Sequence, residues 1–138
     1  MAKYLLDTCT CISMFRNEGC VRETLSRVGI KNCFISEITV AELYFGLAKA
    51  ENQKRKLDDI REVQRLFRVI PAYSSFKEYG EIRYSLEHSG QRVDQFDLLI
   101  GATALHHNLT LVTSNLKHFE RIPGIEIENW VERPENNK

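Results

Sequence analysis

The chain has 138 residues, of which 43% are hydrophobic and 28% are charged, a length and composition typical of one globular domain. This composition excludes a wholly disordered chain and a small disulfide scaffold. Nineteen Lys and Arg side chains balance nineteen Asp and Glu side chains. The overall charge therefore gives no support to a nucleic-acid partner, and any such function must depend on local sites.

Short apolar runs alternate with helical periodicities along the chain. They predict strands at 3–8, 33–35, 67–70, 110–113 and 125–127, and helices at 10–15, 21–28, 36–47, 49–65, 76–88 and 94–106. The helix that Ser36 caps is apolar almost all round, so we expect it to be largely buried. This alternation predicts an α/β fold, a three-layer α/β/α sandwich with a central parallel sheet.

The apolar stretches are shorter than the ~20 residues that a membrane span requires, and the first residues lack a secretory signal pattern. Four cysteines, at positions 9, 11, 20 and 33, lie within the first quarter of the chain. We interpret them as reduced thiols. We therefore expect a cytoplasmic protein with no membrane association, in which residues 1–131 form one domain and 132–138 a short polar tail, frayed from Arg133.

Three carboxylates lie where an α/β sheet binds its ligands, at or near the carboxyl ends of strands. Asp7 directly follows the first strand, where burying a charge is costly unless it is paired, although it would also serve as a helix cap. Glu42 lies on the apolar helix, and Lys49 is too far along it for a helical salt bridge. Asp97 begins another apolar helix, where a first-turn acid is also favoured by the helix dipole.

Carboxylates gathered in one place repel one another unless a cation lies between them. Oxygen ligands without His or Cys suit Mg²⁺, for which Mn²⁺ can substitute, and these ions commonly bridge to phosphate oxygens. Such an ion would polarise a scissile phosphate and lower the pKa of a bound water. We expect Asn115, at the exit of the 110–113 strand, to join this catalytic set, with Thr8 and Thr113 as auxiliary residues.

Four ordered motifs carry a resemblance to a known family: residues 5–8, 36–43, 96–100 and 111–115. With them, the chain resembles the PIN-domain ribonucleases of the VapC toxin type from about Tyr4 to Trp130. The resemblance implies an Mg²⁺-dependent endoribonuclease toxin, inhibited by a cognate VapB-type antitoxin, acting as a homodimer on a structured RNA such as a tRNA. Asp7, Glu42 and Asp97 match the acidic residues of the family.

The chain departs from the family pattern at three positions. Cys9 stands where the family often has Asn or Ser, Asp94 where Gly is common, and Asn115 where many members have a fourth acid. Asn115 supplies an oxygen but no charge, so metal binding is expected to depend more strongly on Asp7 and Asp97.

Three polar residues, Lys117, His118 and Arg121, follow the strand exit that bears Asn115. We expect them to neutralise RNA phosphates near the metal.

Two other functions fit parts of the sequence. A PIN-like module that has lost its metal and only binds a protein partner would explain Asn115, although retention of the three acids speaks against it. An aspartyl-phosphate phosphatase would use Asp7 as its nucleophile, but Cys9 stands where that loop needs a second acid. A zinc site at Cys9 and Cys11 is disfavoured because their spacing is too narrow and no second ligand pair follows.

Overall fold

The computed structural model describes residues 2–132. In them, strands and helices alternate as the sequence predicts. The strands are β1 (Tyr4–Leu6), β2 (Cys33–Ser36), β3 (Arg68–Ile70), β4 (Thr110–Val112) and β5 (Ile127–Glu128). The helices are α1 (Thr8–Phe15), α2 (Val21–Val28), α3 (Glu37–Lys49), α4 (Gln53–Leu66), α5 (Phe76–His88), α6 (Gln95–His106) and α7 (Leu116–Phe119).

The five strands form one parallel sheet in the order β3-β2-β1-β4-β5. β1 is central, and its Tyr4 pairs with Cys33 on one side and with Thr110 on the other. Because the strands are parallel, their carboxyl ends lie along one edge of the sheet. From β1 the chain continues to β2 and β3 on one side and then to β4 and β5 on the other, so the strand order reverses beside β1. Asp7, the first residues of α3 and Thr113 all follow strands at this edge.

Two apolar layers cover the two faces of the sheet. Leu5 and Leu6 are both fully buried and lie in different layers, as successive strand residues must. One layer includes Ile60 and Val63 of α4, and the other includes Leu98 and the small residues of α6. The prediction of a three-layer α/β fold is therefore confirmed.

Some predictions of local structure are wrong. α3 is not largely buried: only Thr39 and Leu43 are buried in it, and Phe45 is 64% exposed. The predicted strand at 125–127 begins two residues later, and the four-residue helix α7 was not predicted. The frayed tail predicted from Arg133 lies outside the described residues. Within residues 2–132, no helix has the length and apolar character needed to cross a bilayer.

Candidate active site

Asp7 is a buried carboxylate at the end of the central strand, with 4% of its surface exposed. Its backbone is extended, its N–H donates to the Val112 carbonyl at 3.0 Å, and its Oδ1 accepts from the Thr10 N–H at 2.9 Å. It therefore caps α1, as one interpretation of the sequence expected. The cap satisfies one oxygen through a neutral donor and leaves the negative charge without a cation.

Cys9 is a neighbour of this carboxylate that sequence reasoning did not assign to the site. Its Sγ lies 3.0 Å and 3.2 Å from the two Asp7 oxygens and 3.3 Å from Ser114 Oγ. Burial, and then the charge of Asp7, raise the pKa of the thiol, so it is protonated at neutral pH and donates to Asp7. An Asn or Ser, which the family often has at this position, would also supply a hydrogen-bond donor. That shared donor character is the only feature of the sequence that could have indicated this contact.

Glu42 extends from the second turn of α3 and is half-buried. Thr8 Oγ1 donates to Glu42 Oε1 and lies 3.3 Å from Thr39 Oγ1. Burial raises the pKa of Glu42, the hydrogen bond from Thr8 opposes that shift, and the charges of Asp97, Asp94 and Asp7 add to it. The Thr8 hydroxyl therefore holds the Glu42 carboxylate in place, and the auxiliary role of Thr8 in catalysis stays a prediction.

Asp97 is on the first turn of α6, but the cap of that helix is Asp94. Asp94 Oδ1 accepts from the backbone N–H of Phe96 at 2.9 Å and of Asp97 at 3.3 Å. The Asp97 side chain, 19% exposed, pairs instead with His118 Nδ1 at 2.9 Å. Burial raises the pKa of Asp97, the His118 hydrogen bond lowers it, and the charges of Asp94 and Asp7 raise it further. Capping alone does not account for Asp97.

The charges of Asp7 and Asp97 thus raise the pKa of Glu42, and the charge of Asp7 raises that of Asp97, although the three residues lie far apart in the sequence. No lysine or arginine forms a salt bridge with Asp7, Glu42 or Asp97 among residues 2–132. Partly buried carboxylates without a cation partner are costly. This edge of the sheet is consequently a site of unbalanced negative charge.

The donor chemistry of the site fits a divalent ion such as Mg²⁺. In the described part of the chain, no three His, Cys, Asp or Glu side chains are gathered closely enough to enclose a metal. Mg²⁺ does not require such an enclosure, because it keeps several waters and commonly uses only one or two carboxylates. The metal-binding role predicted for Asp7, Asp97 and Glu42 stays a prediction with a physical basis in their unbalanced charge.

The segment after β4 brings its polar residues to the same edge. Thr113 is fully buried, and its Oγ1 accepts from the Asn115 backbone N–H at 2.9 Å and lies 3.7 Å from Cys9 Sγ. Asn115 precedes α7, is exposed, and makes no capping hydrogen bond with its side chain.

Lys117, His118 and Arg121 are also exposed in this segment. The contact of His118 with Asp97 joins residues 21 positions apart, so spacing along the chain does not reveal it.

Comparison with known proteins assigns this fold to a class. Residues 4–125 match the PIN domain family. The tRNA(fMet)-specific endonuclease VapC of Salmonella typhimurium is 36% identical over 132 residues, which are 94% of this chain and 99% of that protein. Ribonuclease VapC2 of Rickettsia felis is also 36% identical over 132 residues, covering 92% of this chain and 97% of that protein.

A solved structure, DNA-bound VapBC from Salmonella typhimurium, superposes with a TM-score of 0.86 at 34% identity. The match covers 94% of this chain and 99% of that chain. This chain therefore belongs to the PIN domain family and, within it, to the VapC ribonucleases. The resemblance noted from the four sequence motifs is confirmed.

Proposed function

We propose that this chain is an Mg²⁺-dependent endoribonuclease, the toxin of a toxin-antitoxin pair, and that Asp7, Glu42 and Asp97 form its catalytic centre. One observation carries the proposal: three buried or half-buried carboxylates lie near the strand ends at one edge of the sheet, and none has a lysine or arginine partner in residues 2–132. Membership of the VapC ribonucleases supports it. Mn²⁺ is expected to substitute for Mg²⁺, because both ions prefer oxygen ligands.

Asp7 and Asp97 would hold the ion, and Glu42 would bind it directly or through water. When bound, such an ion would supply charge to polarise a scissile phosphate and to lower the pKa of a water molecule. Thr8 and Cys9 orient the carboxylates of Glu42 and Asp7 by donating to them. Fixed donors of this kind reduce the rearrangement needed when the ion and the RNA bind.

Exposed cations in the segment that bears His118, the partner of Asp97, would bind the RNA backbone. Lys117 and Arg121 lie in the segment that follows β4, as does Asn115. Two cations suffice to hold a phosphate locally although the whole chain has no net charge. A tRNA is the proposed target because the relative from Salmonella typhimurium is a tRNA(fMet)-specific endonuclease, and the cytoplasm is the proposed location because tRNA is there.

The proposed inhibitor is a VapB-type antitoxin, since the similar structure from Salmonella typhimurium is a VapBC assembly. An antitoxin arginine entering the site would pair with the carboxylates and displace the metal. A structure of the complex in which the antitoxin lies wholly away from Asp7 and Asp97 would contradict this mode of inhibition. A homodimer is proposed from the family alone, and sedimentation of the purified chain tests it.

Cleavage assays with purified chain and total tRNA test the activity. We expect cleavage with Mg²⁺ or Mn²⁺, none with EDTA, and none with Asp7→Asn in either ion. Sequencing of the new RNA ends would identify the target. Binding of antitoxin without any RNA cleavage in Mg²⁺ or Mn²⁺ would instead favour the alternative, a PIN-like module that only holds a protein partner.

A further inference from the structure

A cavity of about 860 Å³ opens beside the amino-terminal end of α6. Its walls come from the second half of α5, the connection that follows, and the first turn of α6. The volume lies within the ~300–1,000 Å³ common for small-molecule sites. None of the residues assigned above to catalysis or phosphate binding lines this cavity.

Phe96 is the aromatic residue in the cavity wall, and it is 51% exposed. It directly precedes Asp97, whose side chain is only 19% exposed. The Asp97 side chain pairs with His118 Nδ1 at 2.9 Å, whereas Phe96 is half-exposed and forms part of the cavity wall. An exposed ring is a stacking surface for a nucleobase, since every base has a π-face.

The polar groups of the cavity suit a base edge better than a phosphate. Gln91 and Gln95 carry amides that both donate and accept hydrogen bonds. The guanidinium of Arg83 is already held by Glu87 at 2.8 Å and by the Tyr79 hydroxyl at 2.9 Å. Glu87 also lines the cavity and lowers its positive charge.

Arg92 is the second arginine in the wall, and no salt bridge involves it within the described part of the chain. Its planar guanidinium is available to stack on a base or to bond its edge.

Asp94 connects the cavity to the catalytic centre. It lines the cavity and caps α6, and its charge acts on both Asp97 and Glu42. Residues three apart on a helix are neighbours about 5–6 Å apart at Cβ. A nucleotide whose phosphate lies at the carboxylates is therefore close enough to place its base, or the adjacent base, in the cavity.

We infer that this cavity is a nucleobase site for the RNA substrate, in which a base next to the scissile phosphate stacks on Phe96 and is bonded by Arg92, Gln91 and Gln95. The inference rests on the proposed ribonuclease function and deepens it, because it assigns part of the sequence selectivity to residues outside the metal site. Phe96 is a specificity-determining residue in this account.

Two substitutions of Phe96 separate stacking from apolar contact. Phe96→Leu keeps an apolar side chain without a π-face, and Phe96→Trp keeps the π-face. Tyr84→Ala is the matched control, because Tyr84 is 70% exposed on α5, stacks on His88 and does not line the cavity. Thermal unfolding of each variant checks that the fold is unchanged.

The probe is a set of single-stranded RNA oligonucleotides, each carrying 2-aminopurine at one position, bound to the full chain in EDTA. We expect one position to be quenched on binding, with Kd weakened about 10-fold by Phe96→Leu and unchanged by Phe96→Trp and Tyr84→Ala. In Mg²⁺, Phe96→Leu should raise KM for RNA cleavage by a similar factor and alter the preference among bases at that position.

Absence of quenching at every probe position in wild type, or equal Kd, quenching and base preference in wild type and Phe96→Leu, would overturn the inference. So would a Phe96→Leu variant that loses only inhibition by antitoxin, since the cavity would then bind a protein partner. If quenching in wild type is lost in Phe96→Leu, but wild type does not cleave RNA in Mg²⁺, the base site is supported and the proposed metal chemistry is contradicted. The two failures are therefore distinguishable.

Discussion

Two carboxylate–histidine pairs in this molecule have similar N···O distances, but the pKa values of their acids are shifted in opposite directions. Asp97 pairs with His118 at 2.9 Å in the candidate active site, and Glu78 pairs with His106 at 2.7 Å between α5 and the end of α6. The pKa of Asp97 is raised, whereas the pKa of Glu78 is lowered. A histidine partner therefore does not by itself decide the charge state of an acid.

The surroundings of the two acids explain the difference. The hydrogen bond from His106 is the main influence on Glu78, whose side chain is 32% exposed. Asp97 is 19% exposed, and burial together with the charges of Asp94 and Asp7 outweighs the bond from His118. Raised pKa values among grouped acids are typical of functional sites. The Glu78 pair is the matched reference for a merely structural contact.

The largest expected effect is on RNA cleavage, which should depend on Asp97 and not on Glu78. Asp97→Asn should reduce RNA cleavage by at least ~100-fold, because a neutral amide binds Mg²⁺ poorly. Glu78→Gln should leave cleavage at the wild-type rate. Initial rates at saturating Mg²⁺ make the comparison, and equal losses in the two variants would show that the distinction drawn between the pairs is wrong.

Asp7→Asn should cause a loss of similar size while leaving the fold intact. Its amide oxygen can still accept from the Thr10 N–H, as Asp7 Oδ1 does at 2.9 Å. Asp7→Ala removes that cap as well and should cost about 0.5–2 kcal/mol of stability. Urea unfolding of both variants, beside their cleavage rates, separates the two roles of Asp7. Wild-type cleavage by Asp7→Asn in Mg²⁺ would refute the proposed site.

A smaller effect is expected from the histidines. His118→Asn should lower cleavage about 10-fold by loosening Asp97, in line with other residues that orient metal ligands. His106→Asn removes the corresponding contact with Glu78 and should leave cleavage unchanged. His118→Gln places an amide N–H donor at a different distance from the backbone than Nδ1, and so tests whether the position of the donor to Asp97 matters. Unchanged metal dependence and rate in His118→Asn would leave His118 without a positioning role.

The two acids should shift the pH dependence of stability in opposite directions in the metal-free chain. A folded-state pKa above the unfolded value stabilises the fold fully below the unfolded pKa, and this contribution is lost as pH rises through the folded pKa. Asp97 belongs to this case, because its pKa in the folded chain is raised above the ordinary value of 3.8. Glu78, lowered from 4.5, stabilises above its unfolded pKa, and that contribution is lost as pH falls through its folded value.

At pH 7 in EDTA, Asp97→Asn should therefore raise the free energy of unfolding and Glu78→Gln should lower it. Urea titrations at pH 7 and at pH 3 measure both changes, which should shrink at the lower pH. Changes of the same sign at pH 7 would contradict the account of the two environments.

The smallest expected effect concerns Asn115. Asn115→Asp adds a charged oxygen beside the catalytic edge, so the Mg²⁺ concentration for half-maximal cleavage should fall if the side chain reaches the ion. The maximal rate need not rise, because tighter ground-state binding does not lower the barrier. Identical metal dependence in the two proteins would confine the catalytic set to Asp7, Glu42 and Asp97.

The sequence carries much of the fold because strands and helices here have distinct periodicities. It also locates Asp7, since a charge that ends a buried strand conflicts with its surroundings. The degree of burial of α3 could not be predicted, because apolar residues indicate a helix without indicating which face is covered, and Phe45 remains exposed. The contacts of Cys9 with Asp7 and of His118 with Asp97 depend on side-chain directions that spacing does not specify.

Calorimetric titration of Mg²⁺ into the metal-free chain shows whether Asp7 and Asp97 hold a metal ion, and it requires no RNA and no antitoxin. We expect measurable binding of Mg²⁺ by wild type and by Glu78→Gln, and its loss in Asp7→Asn and Asp97→Asn. Equal Mg²⁺ affinity in wild type and in the Asp7→Asn, Asp97→Asn double variant would contradict this expectation.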